Sequence, residues 1–178
     1  MKIIYSILCM TILLVGCKSE NAEKDVAEDK ISVEDVFQKN SETVLANLAG
    51  FQNENLDYSM YAEDFVMTET AVGAEKDSLN LKEMIASDKR FWETFDCKML
   101  TDPPVLLPGV NVDSKLADGS VRHYSEWEVT LPATDSTEAK SGKIKLYESY
   151  DFNDEGKIVF QQVYGDFTGL MMHLMGDK

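Results

Sequence analysis

An imidazole and two carboxyl groups are the side chains of this sequence best suited to acid–base chemistry. His123 falls on the apolar face of a segment in which apolar and polar residues alternate, and Glu148 is the polar member of an apolar set in the next such segment. Asp166 continues one face of a third segment. An imidazole beside a carboxyl group in a dry pocket could act as a general base near neutral pH. His123 is therefore a candidate base with Asp166 or Glu148 as its partner; the alternative is a structural histidine among core aromatic residues.

A second set of side chains could line a pocket and bind ligand without taking part in a reaction. Asn40 and Asp88 interrupt the apolar stripes of two helical segments. The other candidates lie in strand segments and are predicted to share the inner face of a sheet: Trp127, Tyr150, Gln162 and Tyr164. The alternative for these residues is ordinary packing, with polar stripe edges and hydrated tyrosine hydroxyl groups. Strand register decides between the two, because a slip of one residue moves every side chain to the other face.

Metal, cofactor and nucleic-acid chemistry find little support. The chain has two histidines, His123 and His173, and neither an HExxH motif nor a cysteine cluster. We therefore predict no metal and no cofactor. The formal net charge of −15 repels phosphate backbones, which argues against nucleic acid as a partner.

Helical periodicity dominates the first half of the chain. A first helix is predicted from a cap at Ser32 to about Gly50. A short second helix is predicted over residues 56–64, followed by a strand over residues 65–70. A further helix is predicted to begin near Asn80, whose side chain can cap it.

From Pro103 onward the period changes from 3.6 to 2. Asp118-Gly119 is a hairpin signal, and Asp154-Glu155-Gly156 marks another turn. Strands are predicted over residues 105–115, 120–131, 143–152 and 157–164, before a short amphipathic helix over residues 166–175. Sequential strands with short turns form an antiparallel meander. We expect an α+β domain in which a curved antiparallel sheet wraps around the N-terminal helices and forms a cone with an apolar pocket.

Several short segments, taken in order, carry a family resemblance. They are Tyr61-Ala62-Glu63-Asp64-Phe65-Val66, Trp127 in a long central strand, Tyr150-Asp151-Phe152 with Asp154-Glu155-Gly156-Lys157-Ile158, and Tyr164-Gly165-Asp166. On these segments, the region from about Val33 to Leu174 resembles the nuclear transport factor 2-like superfamily, in particular its SnoaL-like branch. The superfamily includes ketosteroid isomerase, scytalone dehydratase, polyketide cyclases and non-catalytic binding modules, so the resemblance implies a fold rather than one function. It also implies a homodimer through the outer face of the sheet.

The N-terminus has the pattern of an export signal. Lys2 precedes an apolar run from Ile3 to Val15, which is shorter than the about 20 residues that a membrane-spanning helix needs. The run ends in Leu14-Val15-Gly16-Cys17, which resembles the lipobox of bacterial lipoproteins. This pattern predicts cleavage after residue 16 and lipidation of Cys17, which would anchor the protein to the lipid bilayer of the cell envelope. Lys18 in place of an aspartate favours the outer membrane.

The predicted mature chain consists of an anchor, a tether and one domain. Residues 1–16 form the signal peptide, residues 17–30 the lipidated cysteine and a flexible polar tether, and residues 31–178 the SnoaL-like domain. Cleavage removes one base, Lys2, and no acid, so the net charge changes from −15 to −16. Cys97 is then the only cysteine besides Cys17, so an internal disulfide is excluded.

Three functions are compatible with this sequence. The favoured interpretation is a non-catalytic module that binds a small, largely apolar ligand, because the predicted inner face is mainly aromatic and aliphatic. The second is an acid–base enzyme, an isomerase, dehydratase or cyclase, that uses His123. The third is an interaction module whose outer sheet face forms a homodimer.

Overall fold

The computed structural model describes residues 32–176, in which three α-helices and seven β-strands are present. The helices are α1 (Val33–Gln52), α2 (Leu81–Trp92) and α3 (Phe167–Met175). The strands are β1 (Tyr61–Thr68), β2 (Ser78–Asn80), β3 (Asp96–Met99), β4 (Val105–Val110), β5 (Ala117–Leu131), β6 (Lys140–Phe152) and β7 (Ile158–Tyr164). The predicted signal peptide, Cys17 and the tether lie outside the described residues.

The first two helices begin at reciprocal caps that the sequence predicted. The Ser32 hydroxyl group accepts a hydrogen bond from the Asp35 backbone N–H at 3.1 Å, and the Asp35 carboxylate accepts one from the Ser32 backbone. Asn80 and Glu83 exchange the same pair of bonds, both at 3.1 Å, at the start of α2. Each cap satisfies backbone donors that have no partner within the helix, which fixes where the helix starts.

The seven strands form one sheet in the order β2-β1-β7-β6-β5-β3, and β4 also pairs with the long strand β5. The pairs from β4 to β7 are all antiparallel, which confirms the predicted meander. β1 runs parallel to β7, so the sheet is mixed. β5 is long enough to pair with two strands along the same edge. β4 pairs with residues 117–124 of β5, and β3 pairs with residues 127–130.

The helices cover the inner face of the sheet, where the core lies. Val44 and Leu48 of α1, Met84 of α2 and Leu170 of α3 belong to the same buried cluster as Trp127 of β5. Helices collected against one face of a curved, unclosed sheet confirm the predicted α+β cone.

The short helix predicted over residues 56–64 is wrong. A single 3-10 turn occupies Tyr58–Met60, and strand β1 already begins at Tyr61. Tyr61 and Phe65 are buried, and β1 pairs with β7, a partner almost a hundred residues further along the chain. This distant pairing overrides the local helical periodicity.

Asp118-Gly119 does not form the hairpin turn that the dipeptide predicts. The turn lies earlier, where the Asn111 side chain accepts hydrogen bonds from the backbone of Asp113 and Ser114, both at 3.0 Å. Gly119 belongs to β5 and adopts φ +82° within an irregularity of β5, where residues 118–120 lie opposite the single residue Gly109 of β4. Its positive φ serves a distortion inside the ladder rather than a turn.

Candidate functional site

A cavity of about 350 Å³ lies between the helices and the inner face of the sheet. Its walls are mainly apolar and aromatic, with side chains from all three helices and from β5, β6 and β7. Representative members are Phe51, Phe91, Trp127, Ile144, Leu146 and Phe167. Residues 68–71, which are half-exposed or exposed, also line the cavity and mark its mouth. Dimensions and lining of this kind are typical of a site for a small molecule.

Glu148 is the most deeply buried carboxyl group of this cavity. It lies on β6 and is only 5% exposed. The Tyr150 hydroxyl group donates a hydrogen bond of 2.6 Å to its Oε2 atom. Burial raises the pKa of Glu148 above its usual range, and the hydrogen bond from Tyr150 offsets only part of this effect. Glu148 is therefore suited either to donate a proton or to bind a group that stabilises its charged form.

A buried chain of hydrogen bonds extends from Glu148 to the helix α1. Gln161 donates its amide to the Tyr150 hydroxyl group at 3.3 Å, and its carbonyl oxygen accepts from the Tyr61 hydroxyl group at 3.3 Å. Asn47 of α1 donates to the Tyr61 hydroxyl group at 2.5 Å. All members of this chain line the cavity: Glu148, Tyr150, Gln161, Tyr61 and Asn47. A network in which each donor meets an acceptor holds the polar end of the cavity in one arrangement.

Asp88 supplies a second carboxyl group from the opposite wall. It lies on α2, is half-buried, and its Oδ2 atom accepts a hydrogen bond of 3.0 Å from the Tyr58 hydroxyl group. Burial raises the pKa of Asp88 to about 6, although the bond from Tyr58 acts in the other direction. The charge of Asp88 therefore changes close to physiological pH.

His123 does not take the predicted role of a base paired with a carboxyl group. It is fully buried on the inner face, as predicted, and lies directly across the ladder from Glu148. Its Nδ1 atom, however, bonds to the Val105 backbone carbonyl at 3.2 Å, and its Nε2 atom has no partner. The imidazole is not part of the cavity lining, and burial lowers its pKa. These observations favour the alternative, a neutral structural histidine.

Asp166 and Asn40 also have structural roles in the fold. Asp166 is exposed at the start of α3, where its carboxylate accepts from the Gly169 backbone N–H at 2.8 Å. It is therefore a helix cap and not the partner of His123. Asn40 is buried and donates to the Gly119 carbonyl at 2.9 Å, which joins α1 to β5 outside the cavity.

Gln162 and Tyr164 lie on the outer face of the sheet, contrary to the prediction. The ladder between β6 and β7 pairs Phe152 with Ile158 but Asp151 with Phe160, so one residue of β7 is extra. This bulge reverses the alternation beyond it. Gln161 and Val163 consequently line the cavity in the places that regular alternation assigned to Gln162 and Tyr164.

The remaining candidates do line the cavity: Trp127, Tyr150, Glu148 and Asp88. Sequence reasoning missed Asn47, Tyr61 and Gln161. Asn47 carried a usable signal, because a buried amide seven residues after Asn40 repeats the interruption of the same helical stripe. Gln161 carried none, since only the bulge turns it inward.

Cys97 also lines the cavity, and it is half-buried. Burial raises the pKa of its thiol to about 11, with smaller contributions from the nearby acids Glu54 and Asp96. The thiolate that nucleophilic catalysis needs is scarce at neutral pH. We therefore interpret Cys97 as part of the apolar wall.

The part of the chain that the structure describes, residues 32–176, holds neither a cluster of metal-ligating side chains nor a helix that could span a membrane. Within this range no group of three or more histidine, cysteine, aspartate or glutamate residues could hold a metal ion. None of the helices in the same part of the chain is both long and apolar enough to cross a bilayer.

Solved structures with the same architecture cover most of this chain. A proposed isomerase from Bacillus subtilis matches with a TM-score of 0.63 and 14% identity, over 80% of this chain and 96% of its own. A proposed polyketide cyclase from Xanthomonas campestris matches with a TM-score of 0.60 and 14% identity, over 78% and 98%. A proposed SnoaL-like polyketide cyclase from Shewanella denitrificans matches with a TM-score of 0.52 and 14% identity, also over 78% and 98%.

Sequence similarity adds nothing to these structural matches, because no protein-family model and no curated protein matches the chain. At such low identity the structural likeness concerns the fold alone. The matched architecture is the cone of helices and curved sheet described above. The domain therefore has the SnoaL-like, nuclear transport factor 2-like fold that the sequence resemblance implied.

Proposed function

We propose that this protein is a lipid-anchored module of the bacterial cell envelope whose SnoaL-like domain binds a small, largely apolar molecule. The observation that carries the proposal is the cavity of about 350 Å³ with its aromatic and aliphatic walls. Known ligand sites have volumes of roughly 300–1,000 Å³ and combine apolar walls with a few fixed polar groups. Here the fixed polar groups are Glu148, Tyr150 and Gln161, which would orient the ligand at the inner end.

The free thiol of Cys97 provides a direct test of ligand binding. In the mature chain with Cys17→Ser, Cys97 is the only thiol and it lines the cavity. We expect N-phenylnaphthylamine, an apolar probe that is uncharged at neutral pH, to slow alkylation of Cys97 by N-ethylmaleimide in a saturable manner. An alkylation rate that does not change at any probe concentration would count against binding in the cavity.

Acid–base catalysis is a second candidate, and the carboxyl groups of the cavity favour it. Glu148 and Asp88 both have raised pKa values and face one apolar space, as a general acid or base would require. Solved structures of the same fold include proposed isomerases and polyketide cyclases. In this version of the enzyme hypothesis Glu148 replaces His123 as the reacting group.

Proton exchange at carbon tests the enzyme candidate without a known substrate. Apolar ketones that bind in the cavity are incubated with the protein in D₂O, and exchange next to the carbonyl group is followed by NMR. The enzyme candidate predicts exchange that Glu148→Gln abolishes and His123→Gln leaves in place. If bound ketones exchange no faster than in buffer, the binding function stands alone.

Attachment to the membrane follows from the predicted acylation of Cys17. The support is the order of Lys2, the apolar run and Leu14-Val15-Gly16-Cys17. Labelled palmitate should be incorporated into the wild-type protein in bacteria and not into Cys17→Ser. Fractionation of the envelope should place the protein in the outer membrane, as Lys18 favours; recovery in the inner membrane would refute that localisation.

A further inference from the structure

We infer that the ligand of this cavity is an apolar cation, an amine or a quaternary ammonium compound. This inference rests on the proposed binding function and specifies the chemical class of the ligand. The observations that support it are the charges and the aromatic side chains around the cavity.

The charged side chains that line the cavity all have the same sign. Among residues 32–176 they are three acids, Glu69 at the mouth, Asp88 on the wall and Glu148 at the inner end. No lysine, arginine or histidine of this range belongs to the lining. Charges in a space with low-dielectric walls interact more strongly than in water. The cavity therefore opposes an anion and attracts a cation along its whole depth.

No ion pair in the described part of the chain includes any of these acids. Among residues 32–176 the ion pairs are Lys76–Glu83 and Arg122–Asp151, and neither pair includes a residue of the lining. Glu148 is held by the Tyr150 hydroxyl group and Asp88 by the Tyr58 hydroxyl group, which stabilise a carboxylate without neutralising it. A buried carboxylate without a cation is costly, so a cationic ligand supplies the missing partner.

Aromatic side chains complete the environment that an ammonium group requires. Six of them line the cavity: Phe51, Tyr61, Phe91, Trp127, Tyr150 and Phe167. Aromatic rings attract cations through their electron-rich faces, with Trp the strongest, and cages of such rings recognise quaternary ammonium groups. The same rings bury the apolar part of the ligand.

A neutral ligand is the main competing explanation. A carbonyl compound could accept a hydrogen bond from Glu148 in its protonated form, and it would use the apolar walls equally well. The two explanations differ in the effect of pH. Burial raises the pKa of Asp88 to about 6 and raises that of Glu148, so a cation must displace protons from these groups whereas a neutral ligand retains them. Affinity for a cation should consequently increase as pH rises, and affinity for the neutral ligand should decrease.

Three probes of matched size test the inference on the mature chain with Cys17→Ser by titration calorimetry. They are phenylpropyl-trimethylammonium, its uncharged isostere with carbon in place of nitrogen, and phenylbutanoate as the anion. We expect the cation to bind about tenfold more tightly than the isostere or better, which corresponds to one additional close charge interaction. The anion should bind most weakly, and cation binding should release protons to the buffer.

Two variants assign the preference to the carboxyl groups of the cavity. Asp88→Asn and Glu148→Gln should each lower the ratio of cation affinity to isostere affinity by about threefold or more. Glu63→Gln is the matched control, because it removes the same charge from an exposed position on β1 outside the lining. Equal binding of cation and isostere would overturn the inference and leave the proposed function intact, whereas absence of binding by all three probes would overturn both.

Discussion

At the scale of single residues, the Tyr150 hydroxyl group connects the buried polar side chains at the inner end of the cavity. It donates to Glu148 at 2.6 Å and accepts from Gln161 at 3.3 Å. Tyr150→Phe removes both of these hydrogen bonds from buried groups, so we expect the free energy of unfolding to fall by about 1–3 kcal/mol. Tyr147→Phe is the control, because this neighbour lies on the outer face and should change stability by less than about 0.5 kcal/mol. Equal effects of the two substitutions in urea unfolding would refute the network.

The carboxyl group of Asp88 should make the stability of the fold depend on pH. Its pKa is about 6 in the folded protein and 3.8 ordinarily, so between these values the folded state holds a proton that the unfolded state has lost. Stability therefore falls as pH rises through this window, by about 2 kcal/mol after allowance for partial exposure. Asp88→Asn should lack this contribution. Urea unfolding of both proteins from about pH 4 to pH 8 checks it, and parallel profiles would contradict the assignment.

Four of the nine candidate side chains named from the sequence line the cavity, and strand or helix periodicity explains why these four could be named. Trp127 and Glu148 were found because β5 and β6 pair without interruption over residues 121–131 and 140–150, so side chains there alternate regularly between the two faces. His123 was placed on the correct face but given the wrong partner. Periodicity reveals which face a side chain occupies, whereas the Val105 carbonyl that binds this imidazole belongs to a neighbouring strand whose register only the fold defines.

At the scale of elements, the close approach of α1 to β5 depends on a glycine. A Cβ atom at Gly119 would lie 2.6 Å from Val36 Cγ1, and the residue has φ +82°. Gly119→Ala therefore introduces both a steric overlap and backbone strain. We expect the free energy of unfolding to fall by about 2–4 kcal/mol.

Gly73→Ala is the control for Gly119→Ala, because it introduces backbone strain without a steric overlap. Gly73 has φ +78°, but a Cβ atom there would have no neighbour within 4 Å. The backbone strain alone should cost about 1 kcal/mol in thermal unfolding. Equal losses for the two variants would show that α1 does not pack against Gly119 in this way.

Regular elements were predictable from the sequence, and local irregularities were not. Caps at Ser32 and Asn80 identified the starts of α1 and α2, because a cap is encoded within four residues. No local sequence pattern predicts the bulge in β7. Because of this bulge Gln161, and not Gln162, lines the cavity. The edge strands β2 and β3 are only three and four residues long, too short for periodicity to show.

At the scale of the whole molecule, the outer face of the sheet is the surface through which we propose that two copies pair. Tyr124, Tyr147 and Tyr164 form a row of neighbouring rings across β5, β6 and β7, with centroid distances of 5.0 and 6.3 Å. Tyr124 and Tyr164 are 49% and 48% exposed. The surrounding charges are balanced, since Glu126 pairs across the ladder with Lys145, Glu128 with Lys143, and Arg122 with Asp151. A neutral aromatic face on an acidic protein is a favourable place for self-association.

Sedimentation over a wide range of concentration checks the dimer. We expect the mature chain with Cys17→Ser to convert from monomer to dimer as its concentration increases, and Tyr147→Glu to remain monomeric because it would bury an unpaired charge. Val72→Glu introduces the same charge in a loop where the residue is 91% exposed, and it should dimerise normally. A wild-type protein that stays monomeric throughout would refute this interface.

The central claim is that the cavity binds a small apolar molecule. The most direct test is a calorimetric titration of two tryptophan variants with N-phenylnaphthylamine. Leu79→Trp places a large side chain on a half-exposed residue of the cavity lining, whereas Leu107→Trp places it on the 45% exposed Leu107, outside the lining. We predict saturable binding of one probe per chain in the Leu107→Trp control, and binding that is at least about tenfold weaker in Leu79→Trp. Equal binding by both variants, or none by the control, would contradict the claim.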